Sequence, residues 1–185
     1  MINSDPDEII EITDEELMHN IFVNNLDLLR KVDFSKRNLN FLIEHDDTDL
    51  DDKVTPLAAA SFLGRHEIVV MMLQNPMVDI DMPTQNTGLT PLTSSCCSGH
   101  FLVVRTLVEN GADVNLKTGL DYSPLYYWFT RMNESTNIFE NKGIWIKIAD
   151  VLLQAGADIN VVKSGKTLLM KFWGISYQSV TGIQK

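Results

Sequence analysis

Two apolar patterns alternate along this chain, and the switch from one to the other recurs. In "VTPLAAASFLGRHEIVVMML", starting at Val54, a Thr-Pro pair leads into Leu57 and the small Ala60-Ser61. Gly64 interrupts the run, and Ile68, Val69, Met72 and Leu73 then fall at i, i+1, i+4 and i+5. That spacing places four apolar side chains on one face of an α-helix. The opening has its own logic. A threonine hydroxyl accepts a backbone N–H at a helix start, and proline is preset for the first helical turn. The stretch predicts two short helices with a break between them.

The same order returns in "LTPLTSSCCSGHFLVVRTLV" from Leu89, with Leu92, Ser95-Cys96, Gly99-His100, then Val103, Val104, Leu107 and Val108. "YSPLYYWFTRM" from Tyr122 and "KTLLMKFWG" from Lys166 begin two further units. The anchors Thr55, Thr90, Ser123 and Thr167 lie 35, 33 and 44 residues apart, so the last interval holds one repeat and about 11 extra residues. The units also close alike, in "EHDDTDLD", "QNPMVDID", "VENGADVN" and "LQAGADIN", and Gly111 reads as a helix end of positive φ. One such helix pair cannot bury its apolar faces alone, so neighbouring units must stack.

Departures from the pattern are informative. In the third unit the small pair becomes Trp128-Phe129, which predicts a wider or rotated helix. The polar "NESTN" that follows reads as a loop, with the second helix resuming at Trp145, Ile148, Ala149, Leu152 and Leu153. Near the N-terminus, Thr13 and Glu16 form a capping box before Leu17, Ile21 and Phe22. Asn24-Asn25 breaks that helix, and "LDLLRKV" starts another. Leu39, Leu42 and Ile43 predict an outer helix over residues 38–45. At the other end, Phe172, Trp173 and Ile175 form an apolar segment without a polar second helix after it. Either the chain continues in a longer protein or another surface covers them.

The ordered elements "TPL", a small pair, Gly-Arg or Gly-His, an apolar doublet and "GADVN" resemble the ankyrin repeat. The resemblance is strong over residues 53–116, interrupted over 121–161 and partial over 165–174. It implies an all-α solenoid of stacked antiparallel helix pairs with β-turn or hairpin-like connections. The implied organisation is an acidic segment (1–13), N-terminal capping helices or a degenerate repeat (14–52), repeats at 53–86, 87–119 and 120–164, and a partial repeat at 165–185. It also implies a protein-binding role through turn tips and the inner-helix face. Carried over by register, the tip candidates are Asp52, Lys53, Asn86, Thr87, Leu120 and Asp121. The inner-helix candidates are Phe62, Leu63, Cys97, Ser98, Thr130 and Arg131. Asn115 and Asn160, in "DVN" and "DIN", are implied targets of asparagine hydroxylation.

Charge adds one feature. Residues 1–52 carry 15 acids and 4 bases, a balance of −11, while residues 53–185 sit at +1. This asymmetry disfavours nucleic acid and suits a partner with a basic surface near the N-terminus. The adjacent Cys96 and Cys97 give no disulfide framework, and no secretory signal or membrane-length apolar run is present, so a cytoplasmic or nuclear setting is expected.

The search for chemistry returns little. No histidine–cysteine–carboxylate spacing suits zinc, no glycine-rich phosphate loop appears, and "DTDLDD" lacks the glycine and glutamate of a calcium loop. Cys96 reads as a small packing residue, and His66 and His100 as polar links between units. No cofactor, metal or catalytic set is expected. The leading reading is a non-enzymatic adaptor, inhibitor or assembly subunit; the alternative is a targeting or regulatory portion of a longer enzyme or channel.

Overall fold

The computed structural model describes residues 9–44, 52–119, 121–134, 138–160, 162–163 and 166–167. Eight helices follow in chain order: α1 Asp14–Phe22, α2 Leu26–Leu29, α3 Pro56–Phe62, α4 His66–Leu73, α5 Pro91–Ser98, α6 Phe101–Glu109, α7 Pro124–Glu134 and α8 Ile138–Gln154. A 3-10 turn spans Phe34–Lys36, and β1 Val162–Lys163 pairs antiparallel with β2 Lys166–Thr167. The odd-numbered helices α1, α3, α5 and α7 pack side by side as an inner row. The even-numbered α2, α4, α6 and α8 form an outer row, and each pair folds back on itself.

The helix starts follow the sequence. Thr55 Oγ1 accepts from Ala58 N–H at 3.0 Å, Thr90 Oγ1 from Thr93 N–H at 3.1 Å, and Ser123 Oγ from Tyr126 N–H at 3.3 Å. Each satisfies a donor the helix itself leaves orphaned. The Thr13–Glu16 capping box is closed in both directions, at 3.1 and 2.8 Å. Between units the core forms columns. Leu57, Leu92 and Leu125 are buried along the inner row. Ile68, Val103 and Ile148, then Met72, Leu107 and Leu152, are buried along the outer row. Each fully buried side chain of this size contributes about 1.5–3 kcal/mol.

The turn inside each pair is tied back to the preceding unit. Arg65 donates to the Phe22 carbonyl at 2.9 Å, and His100 Nε2 donates to the Phe62 carbonyl at 3.0 Å. Gly64, at φ +69°, lies so close under the His100 ring that a Cβ there would come within 2.5 Å of it. Trp145 takes the corresponding place one unit later, its ring 3.2 Å from where a Cβ on Gly99 would sit. Glycine permits both the left-handed turn and the ring above it. The expected link through His66 is present too, Nε2 lying 2.9 Å from Thr106 Oγ1.

Two expectations are corrected. Residues 38–44 are not an outer helix; they run without helix, and Ile43 bridges Val54 antiparallel. The short α2 takes the outer place beside α4. Its apolar run after Arg37 misleads because Leu39 is buried from an extended segment. The "NESTN" loop does not begin at Asn133: α7 runs on through Asn133-Glu134 and α8 begins at Ile138, lengthening both helices of the pair, while residues 135–137 lie outside the described residues. Thr167, the anchor of the partial fourth unit, lies in β2, paired with Val162, and the residues after it lie outside the described residues. The acidic residues 1–8, the segment 45–51 holding "DTDLD", and Phe172, Trp173 and Ile175 lie outside the described residues.

Candidate protein-binding face

Three of the recurring closures, those ending at Asp81, Asn115 and Asn160, form one hydrogen-bonded ladder along the stack together with Asn38-Leu39-Asn40, while "EHDDTDLD" lies almost wholly outside the described residues. In each, a carboxylate or amide caps the backbone two residues on. Asn38 Oδ1 accepts from Asn40 N–H, Asp79 Oδ1 from Asp81, Asp113 Oδ1 from Asn115, and Asp158 Oδ1 from Asn160, at 2.8–3.1 Å. These are Asx turns, which let a short side chain stand in for a backbone turn. The residue that ends each closure reaches the next unit. Asn40 Oδ1 accepts from Asp79 N–H at 2.8 Å while its Nδ2 donates to the Met77 carbonyl. Asn115 Oδ1 accepts from Asp158 N–H at 2.7 Å while its Nδ2 donates to the Gly156 carbonyl. Asp81 occupies the rung between them and accepts Asp113 N–H with both oxygens at 3.1 Å. The first rung therefore belongs to Asn38-Leu39-Asn40.

Tight turns face the inner row beside this ladder. Thr84 N–H bonds the Leu89 carbonyl at 3.0 Å, and Thr118 N–H bonds the Tyr122 carbonyl at 3.0 Å. Asp52 staples the first turn to the second. It is 7% exposed and accepts from Asn86 N–H at 2.7 Å, Thr87 N–H at 3.1 Å and Thr87 Oγ1 at 2.7 Å. Burial pushes its carboxyl up, but these hydrogen bonds outweigh burial and hold it below the usual range. Lys53, its neighbour, pairs with Glu44 at 3.3 Å and gives its carbonyl to Gln85 N–H.

The remaining candidate residues divide by place. Phe62, Leu63, Asp52 and Thr87 converge on one apolar recess, floored by Ala58, Ala59 and Ser94 and walled by Phe22, Val54 and Leu89. It has about 20 Å³ of free space, room for a methyl-sized group. Phe62 and Leu63, expected to lean outward, are half-buried at its lip, because α1 packs beside α3. Cys97, Ser98 and Thr130 are half-buried further along the inner row, and Thr130 Oγ1 donates to the Tyr127 carbonyl. Arg131 is exposed, as is Asp121, which pairs with Lys117 at 3.0 Å and has φ +62°. Leu120 lies outside the described residues. Phe22, Thr84 and Leu89 were not among the binding candidates read from the sequence. The threonine five residues before Leu89 was the available signal, since its hydroxyl accepts Leu89 N–H and closes the turn.

With this geometry in view, comparison with known proteins is direct. Residues 30–118 match a family model described as ankyrin repeats, three copies. The stacked helix pairs within residues 30–118 are ankyrin repeats. It is similar to the ankyrin repeat and KH domain-containing protein mask of Drosophila melanogaster, 41% identical over 61 residues, 33% of this chain and 2% of that protein. It is similar to ankyrin repeat and KH domain-containing protein 1 of Homo sapiens, 32% identical over 114 residues, 61% of this chain and 4% of that protein. It is also 31% identical over 90 residues to Alpha-latrocrustotoxin-Lt1a of Latrodectus tredecimguttatus, 47% of this chain and 6% of that protein. The chain thus spans only a small fraction of these relatives. Ankyrin repeats are in general protein–protein interaction modules. Among the described residues, no helix is long and apolar enough to cross a membrane, and no group of three His, Cys, Asp or Glu side chains is placed to hold a metal ion.

Proposed function

We propose that this ankyrin stack is a non-enzymatic binding module, an adaptor, inhibitor or assembly subunit that holds a partner protein across its turn tips and inner-helix face in the cytoplasm or nucleus. The observation that carries this reading is the apolar recess bounded by Phe62 and Leu63 next to turns that Asp52 fixes in place. Rigid turns cost little entropy on binding, and a small apolar recess accepts one side chain of a partner as an anchor. The N-terminal excess of acid favours a partner with a basic surface at that end. Of the two asparagines implied as hydroxylation targets, Asn160 is exposed, whereas Asn115 commits both ends of its amide to the next unit. A hydroxylase acting on Asn115 would have to open that joint first.

The alternative, a targeting or regulatory portion of a longer enzyme or channel, draws on the small share of each relative's length that the chain spans. Both readings place recognition on the same face. Leu63→Asp should abolish capture of the partner from native lysate while circular dichroism keeps its helical signal. Undiminished capture would remove this face from the binding surface.

A further inference from the structure

A second surface lies at the opposite end of the helices, where the lengthened third unit overhangs the shorter second one. Trp145 of α8 corresponds to His100, the residue just before α6, yet α8 begins seven residues earlier, at Ile138. At 1.5 Å per residue this end of α8 projects roughly 10 Å past its neighbour. The step leaves a groove of about 300 Å³ whose walls include His66, His100, Phe101, Leu102, Ile144 and Lys147. Leu102 is 48% exposed and Ile144 42% exposed, large apolar side chains on adjacent units with nothing laid over them among the described residues.

The charge of this groove has one sign. Among the described residues, no acidic side chain lines it. Lys147 Nζ sits 5.7 Å above the centre of the Phe101 ring, and the Arg105 guanidinium lies 5.7 Å from the same ring. Arg105 is partnered by Glu109 at 3.6 Å. The nearest acid on the preceding outer helix, Glu67, is taken by Arg30 at 2.8 Å. Lys147 is exposed, and the aromatic ring beneath it leaves its ammonium hydrogens available outward. An apolar floor with Lys147 at its rim complements a segment that offers leucine-like side chains together with carboxylates.

We propose that this groove is a second protein-binding site, independent of the inner-helix face, and that it takes an acidic amphipathic segment of a partner. Apolar side chains of that segment cover Leu102 and Ile144, and a carboxylate pairs with Lys147. The site draws on the insertion, since Ile144 belongs to the overhanging part of α8, while Lys147 lies in the part that matches α6.

The test uses a fluorescent amphipathic helix of leucine and glutamate, its leucine–lysine counterpart, and vesicles containing phosphatidylserine. Wild-type chain should bind the glutamate peptide at least about tenfold tighter than the lysine peptide. Lys147→Glu should reverse that preference, and Leu102→Asp should weaken both peptides, while Leu63→Asp leaves this binding unchanged. Both altered side chains are exposed, so the fold is kept and circular dichroism verifies it. Equal affinity for the two peptides, or glutamate-peptide binding unaffected by Lys147→Glu, would overturn the proposal. So would binding of the vesicles without binding of the peptide.

Discussion

The joint between the first and second full units and the joint between the second and third solve the same packing problem with opposite materials. At the first joint α3 and α5 meet through small side chains, with Ala59, Ala60 and Ser61 on one helix and Ser94, Ser95 and Cys96 on the other all buried. At the second, α5 meets α7, which buries Trp128 and Phe129 at the places those small residues hold. The first joint is filled by small side chains. The second relies on large aromatic area and on a hydrogen bond from Trp128 Nε1 to the Trp145 carbonyl, at 2.7 Å, that locks α7 to α8. The outer ends of the two joints contrast as well. At the second joint Asn115 both donates and accepts across the gap, whereas at the first Asp81 only accepts.

The largest effect is expected at the aromatic joint. Trp128→Ala should cost about 3–5 kcal/mol of unfolding free energy in urea titrations, the range for emptying a large buried aromatic site. Trp128→Phe keeps most of the ring volume and leaves the Trp145 carbonyl without its donor, so it should cost less, about 1–3 kcal/mol. If the two substitutions cost the same, the indole N–H would be what holds this joint and the packing would count for little.

The small-residue joint should respond to added volume. Ala60 is fully buried in α3. Ala60→Leu inserts three carbons into a row with no space for them and should lower stability by about 1–3 kcal/mol. A neutral result would mean that α3 and α5 stand apart, against the close approach their composition implies.

Much of this contrast was legible beforehand, and the parts that were not have physical causes. The Thr-Pro starts, the glycine breaks and the columns through Leu57 and Leu92 are local or periodic features, so a single stretch of sequence displays them. The residues 38–44 misled because apolar spacing alone does not separate a buried extended segment from a helix, and the antiparallel bridge from Ile43 to Val54 is a nonlocal choice. "NESTN" misled in the other direction. A polar run was read as a loop, although its first two residues, Asn133 and Glu134, complete α7; residues 135–137 lie outside the described residues. The acids and asparagines of the closures were visible as a repeated spelling. Their reach from one unit to the next was not, because Asn40 and Asp79 are far apart in sequence and meet only once the stack exists. The recess at Phe62 and Leu63 was half-seen for the same reason, since its Phe22 wall comes from α1.

The smallest expected effect runs the other way, toward stability. Burial raises the Asp81 carboxyl above its ordinary pKa. The Asp113 N–H it accepts works against this, and the neighbouring Asp113 and Asp79 carboxylates add to the rise. An acid whose pKa is raised on folding holds its proton more tightly in the folded chain. Its favourable contribution is complete below the unfolded value, about 3.9, and is lost as the pH climbs through the folded value. In its deprotonated form Asp81 is a charged, acceptor-only rung flanked by two carboxylates. Asp81→Asn removes the charge, still accepts Asp113 N–H, and gains an amide that can donate to the Gly111 carbonyl, the counterpart of the Met77 and Gly156 carbonyls that Asn40 and Asn115 use. The substitution should add about 0.5–1 kcal/mol at pH 7, read as a higher melting temperature. The gain should vanish below about pH 4, where a protonated Asp81 can donate in the same way. A gain that persists undiminished in acid would trace the effect to amide geometry and leave the crowding of Asp79, Asp81 and Asp113 without influence on the joint.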